Sequence, residues 1–401
     1  MEALVAPVGS VGHRLARQRA WSGLTRRQLA ARAEVGADVI AQVERGVVAA
    51  SPAFTAAVAR ALSVEVDTLY GQPYGPAITD PKADHAAVPA LRVALDGDED
   101  PPPTGPPLTP AQVRAGLDEC DQHRAGARYR QLSVALPELL RQGYALATQA
   151  PPGAETEQVG ALLTDACLLA QTVAYRFGYF DLAALANHRG RVAARQSGDP
   201  LRRAVVDGQR ALLRLHRGDY FGVLLLTDRA HAAIADQAHP AADAVRVALH
   251  LREALTYARL GTPDRAGEHL AVARGLITRG IPASPYCTVL ATEANVDIHT
   301  VAVSVELGDA TTALIRAEQI KIPTGEEPSR LARHWIDLAH AWTLDGDHPQ
   351  ALDALHHARA IAPQLTRYHP QAHEIVHLLT EHDRRATDSL AGFARWAGIT
   401  L

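Results

Sequence analysis

A chain of 401 residues with a formal charge of −4 and 5% aromatic residues has room for two or three domains and a sizeable core. Abundant Ala and Leu against few aromatics favour helix and argue against a strand-built fold. No run approaches the roughly 18 apolar residues of a membrane span, and MEALVAPVGSVGHRLARQRA lacks a charged-then-apolar signal pattern, so a soluble, cytoplasmic protein is expected.

Residues 10–72 carry the first compact helical pattern. Leu15 and its flanking apolar positions predict one helix. In LTRRQLAARAEVGADVIAQVERG, residues 24–46, Thr25 and Gln28 form a capping box that starts a second. A turn at Glu34-Val35-Gly36 precedes a third over about residues 37–44, which Gly46 ends. SPAFTAAVARALSVEVDTLYG adds two more, with Ser51 as cap and Pro52 at the first helical position. Residues 1–72 hold eight Arg, no Lys and six acids, so this segment is cationic on an acidic chain. Such a head fits nucleic-acid binding, although a solvated helix face has the same composition.

Residues 73–107 are rich in Pro, Gly and Asp and read as a linker, with PALRVAL able to form one or two helical turns. From residue 108 to 401 helices follow one another. Turn glycines recur at Gly178, Gly218, Gly261, Gly308 and Gly346, at gaps of 40, 43, 47 and 38 residues, the period of a helix-hairpin repeat. The expected fold is all-α: a five-helix head followed by an α-solenoid of hairpins. Three distant cysteines, Cys120, Cys167 and Cys287, suit buried thiols better than disulfides or a metal site, and no cofactor is expected.

The last repeat carries Trp335, Leu338, Ala339 and Trp342, then Gly346, Ala351, Leu355, Ala358 and Pro363. That order resembles the tetratricopeptide repeat, with Ala339 where the repeat has Gly. The repeat around Gly261 keeps Ala254, Tyr257, Ala266, Leu270 and Ala273 in the same register. Residues 11–71 resemble an Xre-type (Cro- and 434-repressor-like) helix-turn-helix domain, on LTRRQLA, Val35, Ile40, VERG, Pro52 and ALSVEVDTLYG. The pairing of head and repeats is similar to actinobacterial Xre-family transcriptional regulators. The resemblance departs at Arg26, where the family usually has Gln, at Glu34, where it has Gly, and at Gly36, where it has a Ser or Thr cap.

The resemblance makes residues 37–44 the recognition helix, opened by Gly36, with Ala37, Asp38, Ala41 and Gln42 facing bases. Gln42 can pair with adenine, Ala37 can touch a thymine methyl, and Asp38 can accept from cytosine. Readout is thin, so Arg17, Arg19, Arg26, Arg27 and Arg45 are expected to supply phosphate contacts. Short operator half-sites imply a homodimer on double-stranded DNA, though no zipper heptad is visible. In tetratricopeptide domains the first helix of each repeat lines a groove. This makes Gln209, Arg252, Asn295, His299, Arg333, Asp337 and His340 candidate contacts for a peptide, small-molecule or protein ligand. Each has a plainer reading, such as a solvated Arg333–Asp337 pair one turn apart.

The expected function is a DNA-binding transcriptional regulator whose repeat domain senses a ligand. The alternative is an interaction scaffold whose head does not read DNA. A remote one is a zinc hydrolase built on His373-Glu374-Ile375-Val376-His377, because His at i and i+4 share a helix face. The long form of that motif needs a Gly and a third His where Thr380 and Asp383 stand. With no phosphate-binding loop, dinucleotide fingerprint or nucleophile elbow, no enzyme is expected.

Overall fold

The computed structural model describes residues 6–74, 84–96, 102–278, 280–281, 283–382 and 388–399. Among the described residues there are 21 helices and no strand, and no helix is long and apolar enough to cross a membrane. Five helices form the head: α1 (Val11–Trp21), α2 (Arg26–Ala33), α3 (Ala37–Glu44), α4 (Pro52–Leu62) and α5 (Val66–Tyr70). Their apolar faces meet at Leu15, Leu29, Ile40, Val58 and Leu69, all fully buried. Side-chain caps define the ends. Ser10 accepts from the His13 amide, Thr25 and Gln28 complete a reciprocal capping box, and Ser51 accepts from the Phe54 amide ahead of Pro52. Glu34 ends α2 at φ 56°, a left-handed conformation that glycine would adopt more cheaply, by about 1 kcal/mol. Gly36 leaves α3 without a side-chain cap.

The segment after the head is more than a tether. α6 (Val88–Asp96) buries Val88, Leu91, Ala94 and Leu95 in the same core as the following hairpins. Just before it, His85 stacks on Phe177 at 4.4 Å, and Asp84 accepts from the Tyr368 hydroxyl at 2.8 Å.

Six hairpins then stack in order: α7 (Pro110–Ala125) with α8 (Tyr129–Gln149), α9 (Ala154–Arg176) with α10 (Phe180–Gln196), and α11 (Pro200–His216) with α12 (Tyr220–Ala233). α13 (Pro240–Arg259) pairs with α14 (Pro263–Ile277), α15 (Glu293–Glu306) with α16 (Ala310–Gln319), and α17 (Pro328–Asp345) with α18 (His348–Ile361). α19 (Pro363–Arg367), α20 (Pro370–His382) and α21 (Asp388–Ala397) close the body. The five turn glycines of the sequence pattern lie between the helices of the last five hairpins, all with positive φ. The first hairpin escaped the pattern because Ala127, at φ 53°, takes the left-handed position there.

The head sits against the body. A Cβ at Gly178 would lie 2.9 Å from the Gln72 Cβ, and one at Gly218 would lie 2.8 Å from the Ala56 Cβ. Arg60 donates to the Gly218 carbonyl at 2.9 Å, so two of the turn glycines also serve as docking points for the head. Opposite them, Tyr74 stacks on His373 at 3.9 Å.

Candidate nucleic-acid interface and an adjoining cavity

α3 presents Gly36, Asp38 and Arg45 exposed, and Ala37, Ala41 and Gln42 partly exposed. Asp38 sits in the first turn, where its charge favours the helix dipole. Arg17 and Arg27 are exposed on α1 and α2; the Arg17 guanidinium lies 4.6 Å above the Trp21 ring. Arg45 spends one donor on the Ala41 carbonyl at 3.1 Å. These residues leave a solvent-facing rim, with Arg17, Arg27 and Arg45 exposed, around α3, which itself offers few polar side chains.

Two of the five expected phosphate contacts are committed elsewhere. Glu44, 3% exposed at the end of α3, accepts from Arg19 through Nε at 2.6 Å and Nη2 at 3.0 Å, and from Arg26 Nε at 2.6 Å. Arg19 Nη1 donates to the Leu24 carbonyl at 2.9 Å. The expectation for Arg19 is therefore corrected: its guanidinium ties α1 to α3 from inside the head. Arg26 is half exposed and engages only Nε, so it ties α2 to α3 while facing solvent. Sequence reasoning used VERG only as a landmark of the resemblance and gave Glu44 no role, because only the fold brings Arg19 and Arg26 to it.

Beside the head is a cavity of about 240 Å³. Its wall comes from α7 to α11, α13, α15, α17, α19 and α20, the loop around Thr288, and Pro52, Tyr70 and Gln72 of the head. Six of the seven expected groove residues line it: Gln209, Arg252, Asn295, His299, Arg333 and Asp337. His340 does not; it is buried among the helices, and burial pushes its imidazole down to about 4. Asn295 Nδ2 donates one of its two N–H groups to the Leu290 carbonyl at 2.9 Å. Gln209 donates to the Thr288 hydroxyl at 3.0 Å. His299 Nδ1 lies 2.7 Å from the Asn295 carbonyl, and burial pushes this ring down to about 3.

The lining is strongly cationic. Arg124, Arg176, Arg252, Arg259, Arg330 and Arg333 face Asp337 as the one acid of the wall. Three of the six have carboxylate partners: Arg124 with Glu327 at 2.9 Å, Arg259 with Glu306 at 2.6 Å, and Arg333 with Asp337 at 3.0 Å. Arg176, Arg252 and Arg330 have none among the described residues, and Arg176 meets only the Tyr175 ring, at 5.7 Å. Nε of Arg252 and of Arg330 is buried without a hydrogen-bond acceptor, as is Asn295 Oδ1 without a donor. Burial, then repulsion from Arg330, Arg259 and Arg176, brings Arg252 down to about 10 despite the nearby Tyr175. Leu212, Leu215, Leu249, Leu255 and Ile298 supply apolar surface beside these charges. Sequence reasoning missed Arg124, Arg176, Arg259 and Arg330, because only the curvature of the solenoid brings them together.

The zinc-hydrolase reading of residues 373–377 is corrected by what these side chains do. Glu374 Oε1 accepts from the Val11 amide at 3.0 Å, at the N-terminus of α1. His373 stacks on Tyr74 and approaches the Arg367 carbonyl at 2.7 Å, and His377 packs near Gly9. The motif is a contact between body and head.

Residues 10–69, spanning α1 into α5, match a family model described as a helix-turn-helix domain. No curated protein and no solved structure matches the chain. The exposed α3 thus belongs to a helix-turn-helix head, the DNA-binding module of a larger all-helical chain.

Proposed function

We propose that the protein is a sequence-specific transcriptional regulator of the Xre type, a homodimer on its operator, whose tetratricopeptide-like body binds a small amphipathic anion and passes that event to the head. One observation carries the reading: the helix-turn-helix head keeps α3 exposed while contributing Pro52, Tyr70 and Gln72 to the wall of the cationic cavity. A carboxylate or phosphate among Arg176, Arg252 and Arg330 would satisfy buried donors and relieve their mutual repulsion. The apolar leucines would hold the rest of the ligand. Because the head is part of the wall, such a ligand has different affinities for docked and undocked heads. By linkage, DNA that favours one arrangement shifts ligand affinity by the same factor. No catalytic chemistry enters this account.

The test is selection of bound duplexes from a random pool by the full chain, repeated with a series of alkyl carboxylates and alkyl phosphates. The expected result is a symmetric motif whose affinity changes with one member of the series. Absence of any enriched motif would favour the scaffold reading, and a motif indifferent to every anion would remove the sensing half.

A further inference from the structure

Outside the cavity, three consecutive helices gather four metal-ligating side chains around the Glu253 carboxylate, three of which bring their donor atoms within reach of one ion. α13 contributes His250 and Glu253, one turn apart; α12 contributes His231 and α14 contributes His269. Glu253 Oε2 lies 2.9 Å from His250 Nδ1, 2.8 Å from His269 Nδ1 and 3.4 Å from His231 Nε2. The two Nδ1 atoms are 3.0 Å apart. The Glu253 side chain is 3% exposed, whereas the three imidazoles keep about a fifth of their surface open, which gives an ion a route in. No Arg or Lys forms a salt bridge with Glu253 among the described residues; its close polar neighbours are the three imidazoles.

Hydrogen bonding alone accounts poorly for this geometry. Two Nδ1–H groups aimed at the same oxygen from atoms 3.0 Å apart bring their protons into close contact, and a third imidazole converges on that oxygen as well. Metal coordination accounts for it directly. Bonds of roughly 2.0–2.1 Å to imidazole nitrogen and carboxylate oxygen place neighbouring donors about 2.9 Å apart at right angles and about 3.3 Å apart in a tetrahedron. The observed separations fall in and beside that range. Imidazole nitrogens select first-row transition ions over magnesium and calcium, which prefer oxygen.

We infer that His231, His250 and Glu253 form a binding site for one divalent transition-metal ion of the zinc class, with His269 beside the same Glu253 oxygen, which ties the α11/α12 hairpin to the α13/α14 hairpin. The site is structural in kind: its ligands come from packed helices, and none of them lines the cavity. It stands independently of the DNA-binding and ligand-sensing reading.

The full chain, stripped with a chelator and reloaded with zinc, tests this by metal analysis after gel filtration and by competition with a chromophoric chelator. The expected result is one zinc per chain and a higher melting temperature in the loaded form. His250→Ala should weaken binding by at least the roughly 10–100-fold that even a supporting contact costs at such sites. His373→Ala should leave the bound equivalent in place. Should His250→Ala misfold, the paired variant His231→Gln/His269→Gln alters two partly exposed rings and gives the same readout. Failure to retain zinc, nickel or cobalt, or retention untouched by these substitutions, would overturn the site. So would loss of the equivalent on His373→Ala alone.

Discussion

The Glu374 carboxylate lies 3.0 Å from the Val11 amide, 363 residues earlier in the chain, so the first turn of the head is capped by the body. An acid at a helix N-terminus meets both a free N–H and the positive end of the dipole. Here the acid is fully buried, and burial outweighs the Val11 amide and the Arg14 guanidinium, so its carboxyl is pushed up to about 7.

That shift gives docking a pH dependence of defined sign. Released to solvent, Glu374 titrates near its ordinary 4.5; docked, it keeps its proton to about pH 7. Through Glu374 alone, the docked state binds more protons between these values, and that contribution weakens docking as pH rises from about 4.5 to 7. The facing histidines oppose this: burial pushes His373 and His377 down to about 4 and about 3, so the docked state holds fewer protons on them and they favour docking as pH rises to about 6.5, while Tyr70 and Tyr74 are pushed up and stay neutral throughout. Energy transfer between dyes on head and body should report loosening as pH rises from about 6.5 to 7.5, where the histidines are neutral docked or released. Glu374→Gln should remove that loosening while keeping an acceptor for Val11.

Glu44 should matter more to the head's stability than any exposed arginine. Glu44→Ala strands the Arg19 guanidinium in a nearly closed site, and breaking such a pair typically costs about 3–5 kcal/mol. Arg26→Ala should cost less, because that side chain is half exposed. Amide exchange in α1 to α3 under rising urea separates the two. Equal protection in wild type and Glu44→Ala would contradict the role assigned to this carboxylate.

Arg330→Met should have opposite effects with and without ligand. Burial lowers the Arg330 pKa, so replacing the cation with an apolar side chain should raise the melting temperature of the ligand-free chain. The same change should weaken an anion that saturates the wild-type cavity by at least roughly tenfold, the worth of a hydrogen bond to a charged group. Calorimetry on both proteins measures both effects.

Arg27 is exposed and free of ion pairs among the described residues, so its loss should be felt only on DNA. Arg27→Ala should leave melting unchanged and reduce the slope of log affinity against log salt by about 0.9. An unchanged slope would remove Arg27 from the phosphate contacts.

Features set by neighbouring residues were legible in the sequence. The Thr25–Gln28 capping box, the Ser51-Pro52 helix start and the five turn glycines each depend on a few adjacent positions, and each stands where the pattern put it. Most of the groove-facing polar residues could be found from helix order, since the first helix of each hairpin lines the cavity. Features that join distant segments were not legible. Glu44 gathers Arg19 and Arg26 from two other helices, Glu374 reaches across the whole chain, and His231 and His250 lie on separate helices at a distance in sequence that matches no short metal-ligand motif. The first hairpin was missed for a local reason: Ala127 holds a backbone conformation that the pattern assigned to glycine.

Pro52, Tyr70 and Gln72 belong at once to the head and to the wall of the cavity. A body separated from its head would keep Arg252 and Arg330 but present them in an open trough. A chimera carrying another regulator's head would have a differently shaped chamber even with every body residue unchanged. Head and body are therefore not interchangeable parts. Substitutions in α4 or α5 that displace Pro52 or Tyr70 reshape the chamber as well as the head, so the two cannot drift apart independently.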